Sequence, residues 1–328
     1  VNTIYQEAND AVNGNRLSSE YTLGGMSDTD AEAAAGDGSA GKGGTQESIV
    51  KTTVNGATIQ AGGKASISAV EETNVAALGI NAQAGLAGAV SGAVGILNVH
   101  RNSGVELTSA DIDAGEVEIK ALQKGVSSLQ MYQGTVGGYA SIGAAYGSVN
   151  TEGKGGIGIG NSQITSQENM TITAADQSST LVDAVGVAIA AGGSASVLVA
   201  EGENNGKVTI KSDQSILQAG ENLSVTAERK AKDAKGSDTD SLSVRSIAAS
   251  GGLVFAGAGV AAMANEFGTV GVDITGGSKL SAAKNLTLHA NNDPRIKAQT
   301  GAVGVSLLAS AAVTVAEANI GSEEDEKH

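Results

Sequence analysis

Three glycines, Gly36, Gly38 and Gly41, spell Gly-x-Gly-x-x-Gly, and the run Gly36 to Lys42 falls one residue short of a phosphate-binding loop. Such loops cradle phosphate with backbone N–H groups and need a Ser or Thr after the Lys, a buried strand before and a helix after. Here Gly43 follows Lys42 inside low-complexity sequence, so a Gly-rich linker accounts for the match. Ser27-Asp28-Thr29-Asp30 and Ser237-Asp238-Thr239-Asp240 are small acidic clusters with oxygens suited to calcium. Their spacing fits neither the EF-hand loop nor the Gly-Gly-x-Gly-x-Asp repeat, and they read as solvated loops. His100, His289 and His328 are too scattered for a metal centre. No Gly-x-Ser-x-Gly elbow is present, and no Ser/His/Asp triad has support from the sequence. Tyr132, Tyr139 and Tyr146 are the one aromatic cluster. Their spacing of seven places neighbours on opposite faces of a straight strand, so we expect them to fill gaps between small residues rather than build a sugar-stacking platform. No residue earns a catalytic, cofactor-binding or metal-ligating role, and partner-binding residues stay unassigned.

The elements around these residues must be built from small side chains. The 328 residues include 47 Gly, one Pro (Pro294), two Phe, five Tyr and neither Cys nor Trp. Apolar content is 41% but aromatic content only 2%, which argues against a conventional enzyme core and, with charge at 17%, against disorder. The net charge of −15 disfavours nucleic acid and anionic lipid, since both need clustered Lys and Arg. Without Cys there is no disulfide or thiolate metal site.

One pattern recurs: a turn, then alternating apolar and polar residues closing on Ala. It appears at Gly63 to Ala69, Gly115 to Ala121, Glu168 to Ala174, Glu221 to Ala227 and Lys284 to Ala290. The alternation predicts strands with one buried face. A second strand lies upstream of each, as in Lys207 to Ile210 and Val270 to Ile274. A third lies between, centred on Ile59, Ile112, Ile164, Ile216 and Leu280. An Ala/Gly-rich stretch follows each copy: Leu78 to Val99, Thr135 to Val149, Val185 to Ala200, Ile247 to Ala264 and Gly301 to Val315. Gly-Gly pairs and the cost of Gly inside helices disfavour a helical bundle. Leu78 to Val99 holds no charge and is long enough to span a bilayer, but Asn81, Gln83 and Asn98 interrupt it. We therefore expect buried solenoid strands and no stable membrane span.

The expected fold is all-β: a right-handed parallel β-helix, or β-solenoid, of about five repeats of roughly 53 residues, each forming one elongated coil. It should occupy 1–322 as a single unit, with surface insertions at 5–47 and 228–238 and a polar tail at 323–328. Mobile insertions would make Arg229, Lys230, Lys232 and Lys235 the first sites of proteolysis. Val1 to Ile4 resembles the close of an Ala/Gly stretch, so beginning and end share a phase, as expected of about five repeats within a longer array.

The strand ending x-Leu-x-Val-x-Ala, as in Glu221-Asn-Leu-Ser-Val-Thr-Ala227, followed by an Ala/Gly/Val block closing in Val-x-Val, resembles the large filamentous exoproteins of Gram-negative bacteria, the filamentous-haemagglutinin-like and leukotoxin-like repeat adhesins. The resemblance covers residues 48 to 320. It implies a secreted or surface-displayed virulence protein, exported by a two-partner or autotransporter route and attached to the outer membrane in its parent. Its partner would be a host cell-surface receptor or matrix component, bound through an elongated stalk. The resemblance also admits a cytotoxin segment acting on host membranes. A β-helix polysaccharide-active enzyme is a further alternative that the absence of a catalytic constellation disfavours.

Overall fold

The computed structural model describes residues 44–321 except residue 234, and among them there is no helix. In chain order the strands are β1 (Gly44–Asn55), β2 (Thr58–Glu72), β3 (Val75–Gly85), β4 (Gly88–Thr108), β5 (Asp111–Gly137) and β6 (Ala140–Gly160). They continue as β7 (Gln163–Ser166), β8 (Met170–Ala190), β9 (Gly193–Asp213), β10 (Ile216–Ala219), β11 (Asn222–Arg229) and β12 (Leu242–Gly252). The last are β13 (Phe255–Thr275), β14 (Lys279–Ala282), β15 (Asn285–Asn292), β16 (Ile296–Val305) and β17 (Ala309–Gly321). One sheet runs β1-β4-β6-β9-β13-β17; the other strands form a second sheet, and all pairing within both is parallel. The chain crosses between the sheets at every circuit, which gives a parallel β-solenoid-like architecture.

Register follows the sequence repeat. Ala69 pairs with Ala121, Ala121 with Ala174, Ala174 with Ala227 and Ala227 with Ala290, so the closing alanines stack in one column. Beside them Leu223 lies between Met170 and Leu286, and Val225 between Ile172 and Leu288. The inner members are buried; Leu286 and Leu288 are half exposed because β15 is the outermost strand of its sheet. Ile67, Ile119, Ile172, Ile164 and Ile210 belong to the same apolar cluster, where each fully buried side chain stabilises by about 1.5–3 kcal/mol.

The corner before the short strands has the same bend in every circuit. Gly56, Ser109, Asn161, Gln214 and Gly277 all have φ between 49° and 78°, the left-handed region where glycine is unstrained and other residues are not. After the short strands, Asn169, Asn222 and Asn285 form a ladder in which Asn222 donates to Asn169 Oδ1 and Asn285 to Asn222 Oδ1, both at 2.8 Å. That ladder is why Asn precedes the apolar alternation in three copies of the motif.

Three expectations need correcting. The third strand of the fourth circuit centres on Leu217, which pairs with Ile164 and Leu280, while Ile216 points outward; two adjacent apolar residues hid the phase. Of the insertion expected at 5–47, residues 44–47 belong to β1 and pair with residues 97–100, because the equivalent segment elsewhere is the middle of a 21-residue strand and not a turn. The remainder of that insertion lies outside the described residues, as do Gly36 to Gly43, Ser27 to Asp30, His328 and the tail 323–328. The insertion at 228–238 begins later, since Glu228 and Arg229 still pair in β11. Between Arg229 and Leu242 the loop folds back through an antiparallel bridge between Lys232 and Asp238.

Candidate functional site

The two sheets enclose three layers of different chemistry. At one end, around Ile119 and Leu223, apolar residues point inward and charged ones outward, with cross-strand ion pairs such as Lys64–Glu118, Lys51–Glu106 and Lys284–Glu221 on the surface. Exposed pairs of this kind contribute little to stability.

Next along the strands comes a stripe of buried ionisable groups. Glu71, Gln123, Asp176 and Arg229 occupy one column of the second sheet. Arg101, Gly153, Gly206 and Gly268 occupy a column of the first. The glycines make room for the long side chains opposite: a Cβ on Gly206 would lie 2.2 Å from Arg229 Nε, and one on Gly268 2.2 Å from Arg229 Nη1. Arg229 pairs with Asp176 at 3.6 Å and with Glu266, and donates to the carbonyls of Phe267 at 3.2 Å and Asn204 at 3.4 Å. Arg101 donates to Ser127 Oγ at 2.8 Å and Thr73 O at 3.3 Å. Burial pushes the Glu266 carboxyl up to about 7 against the pull of Arg229 and Ser241. Burial also raises Glu71, opposed by Thr73, Arg101 and Ser48, and lowers Arg101. Because Arg229 is 4% exposed and held by these contacts, it is no open site for a protease, contrary to the expectation from its charged neighbourhood. Lys230, just outside, is held by Asp238 at 2.8 Å and Asp293 at 3.3 Å.

At the opposite end the pattern inverts. The Ala/Gly stretches are solenoid strands, but each is folded in two at the corner that joins the sheets, and one side of each strand faces solvent. Inward positions there carry Ser91, Gln133, Thr135, Ser141, Ser194, Ser196 and Ser250, all buried. Ser91 and Thr135 share a hydrogen bond of 2.7 Å, and Gln133 donates to Ser91 at 2.6 Å. Outward positions carry Val90, Ile142 and Val197 on one face, and Ile80, Val136 and Ile189 on the other, all more than half exposed except Val197 at 50%. The corner itself presents Leu86 at 100% exposure, Tyr139 at 75% and Leu307 at 80%. No Asp, Glu, Lys or Arg occurs between Glu72 and Arg101, Lys124 and Glu152, Asp183 and Glu201, Arg245 and Glu266, or Lys297 and Glu317. Charge resumes on both faces around the same apolar cluster of Val182, Ala184 and Ala200. On one face Arg245 makes a bidentate pair with Asp183 at 2.8 and 2.6 Å; on the other Tyr146 donates to Glu201 at 2.6 Å.

The three tyrosines lie on different surfaces, Tyr132 on one outer face, Tyr146 on the other and Tyr139 at the corner, because the chain turns between them and not because of strand parity. They do not fill interior gaps, since all three sit at outward positions. Met131 does that work, its sulfur lying where a Cβ on Gly79 or Gly95 would fall. His100 pairs with Glu152 at 2.9 Å on the surface, where Lys154 first and His100 in support lower the Glu152 carboxyl, and His289 is exposed. Asp238 of the second acidic cluster already has Lys230 and Arg295 as partners. Among the described residues no group of three or more His, Asp or Glu could hold a metal ion, and no helix is long and apolar enough to cross a membrane.

No family model, curated protein or solved structure matches the chain.

Proposed function

We propose that the chain is part of a secreted or surface-displayed bacterial filamentous exoprotein, a right-handed β-helix of about five circuits of roughly 53 residues that serves as an elongated, non-catalytic stalk for attachment to host cells. The observation that carries this reading is the unbroken column Ala69-Ala121-Ala174-Ala227-Ala290, which makes each circuit a spacer on the one before. The style of the repeats, resembling filamentous-haemagglutinin-like proteins, supports it further. Contacts to a host receptor fit the loop between Arg229 and Leu242, which departs from the repeat over a rigid scaffold. The test is attachment of cultured host cells to the immobilised chain, before and after shortening that loop to the length of the equivalent strand segment at residues 176–180. Loss of attachment supports the loop as contact; absence of attachment to any cell type by the intact chain overturns the stalk reading.

A specific observation favours a second reading, a leukotoxin-type segment that acts on host membranes: the charge-free, outward-apolar end of the solenoid.

A further inference from the structure

We propose that the inverted end of the solenoid is a lipid-insertion edge that embeds in one leaflet of a zwitterionic bilayer. This deepens the second reading above and does not depend on the stalk's receptor.

The exposed apolar residues cover both outer faces and the corner between them. A second copy of the chain could shield one flat face but would leave the corner and the other face in water. Acyl chains can wrap all three. Burial in lipid also demands that backbone polar groups find partners within the protein. Successive corners meet part of this demand, because each turn bonds to the turn below. Gly138 N donates to Gly85 O at 2.8 Å, Gly192 N to Tyr139 O at 2.9 Å, Leu253 N to Ala191 O at 3.1 Å, and Leu307 N to Leu253 O at 3.1 Å. The hydroxyls and amides of this end are turned inward, as in the polar interior of a membrane barrel.

Depth agrees. From Val185 to Ala190 the strand advances about 17 Å at ~3.3 Å per residue, and the hydrocarbon of one leaflet is about 15 Å deep, half of a ~30 Å core. The edge is thus matched to one leaflet and too short to span two. Asp183, Arg245, Glu201 and Glu317 would sit at the headgroup level. The net charge of −15 selects against anionic surfaces, so the lipid is zwitterionic.

The experiment is flotation of the 328-residue chain with phosphatidylcholine vesicles, alongside an L86D/L253D/L307D variant whose altered side chains are all exposed and whose fold is checked by circular dichroism. The chain should float with the vesicles, and the variant should partition at least about tenfold less. A Y139W chain, whose indole would be its only one, should shift its emission to the blue and be quenched by bromines on the acyl chains. No flotation of the unaltered chain, or equal flotation of the variant, overturns the proposal. So does a dimer in sedimentation that the variant abolishes while the unaltered chain ignores vesicles, which would assign the edge to a second copy. Host-cell attachment tests the stalk separately, so failure of insertion and failure of the stalk reading are told apart.

Discussion

The two ends of each circuit share one backbone plan and opposite chemistry. β9 runs without a break from Gly193 to Asp213, yet it buries Ser194 and Ser196 at its start and Val208 and Ile210 at its close. Strand parity never changes along it. The lesson is that a parallel ladder supplies enough backbone order to tolerate either side-chain arrangement. Inside-apolar packing supports the charged end; close sheets of glycine, alanine and serine suffice at the other, where facing residues leave little space. Between them sits the ionic stripe, the one layer that neither arrangement accounts for.

The largest contrast should come from one substitution placed at each end. Leu223→Asp puts an unpaired carboxylate into the apolar column and should cost upwards of about 5 kcal/mol, unfolding part of the array. Leu253→Asp at the corner should stay within about 0.5 kcal/mol. Chemical denaturation of both variants checks the pair, and equal losses would erase the distinction between the ends. Next, Arg229→Met leaves Asp176 and Glu266 buried without their cation and should cost about 3–5 kcal/mol. Gly206→Ala should be destabilising in the native chain, where its Cβ meets Arg229, and much less so beside Arg229→Met; a double-mutant cycle measures that coupling.

The stripe should also make stability depend on pH. The Glu266 carboxyl is raised from 4.5 to about 7, so over that interval the folded chain holds a proton the unfolded chain has lost. Its contribution is fully present below about 4.5 and fades as pH rises through 7. Compared with the native chain, Glu266→Gln should therefore gain stability between pH 5 and pH 8, by on the order of 3 kcal/mol at most. Thermal melts across that range check the sign, and a difference that shrinks with pH would contradict the assignment. The smallest effect belongs to the inverted end. Ser196 is fully buried and its hydroxyl has no hydrogen-bond partner among the described residues. Ser196→Ala should be neutral or stabilise by up to about 1 kcal/mol.

Much of the charged end was legible in the sequence, because alternation closing on Ala fixes strand, face and register together. Leu217 was misphased by one since its neighbour Ile216 is equally apolar and the strand has only four residues. Arg229 has the sequence signature of a loop because it opens a charged run, although its column partners Asp176 and Gln123 already break the apolar alternation inward. The inverted end left a signal that composition conceals. In β8 the large residues stand at even positions, Met170 and Ile172, and then at odd ones, Val185, Val187 and Ile189, with no turn between. Averaged over an Ala/Gly stretch, that change of parity disappears.

The 53-residue offset between stacked partners has a mechanical consequence. Hydrogen bonds of the ladder run along the stacking axis, so a pull on that axis loads them head-on and peels strands off the end. Each circuit contributes about 4.8 Å to the height of the folded stack and, once peeled, about 180 Å of extended chain. A body built this way yields under tension circuit by circuit, lengthening nearly fortyfold per lost circuit and dissipating force while its remaining circuits stay wound.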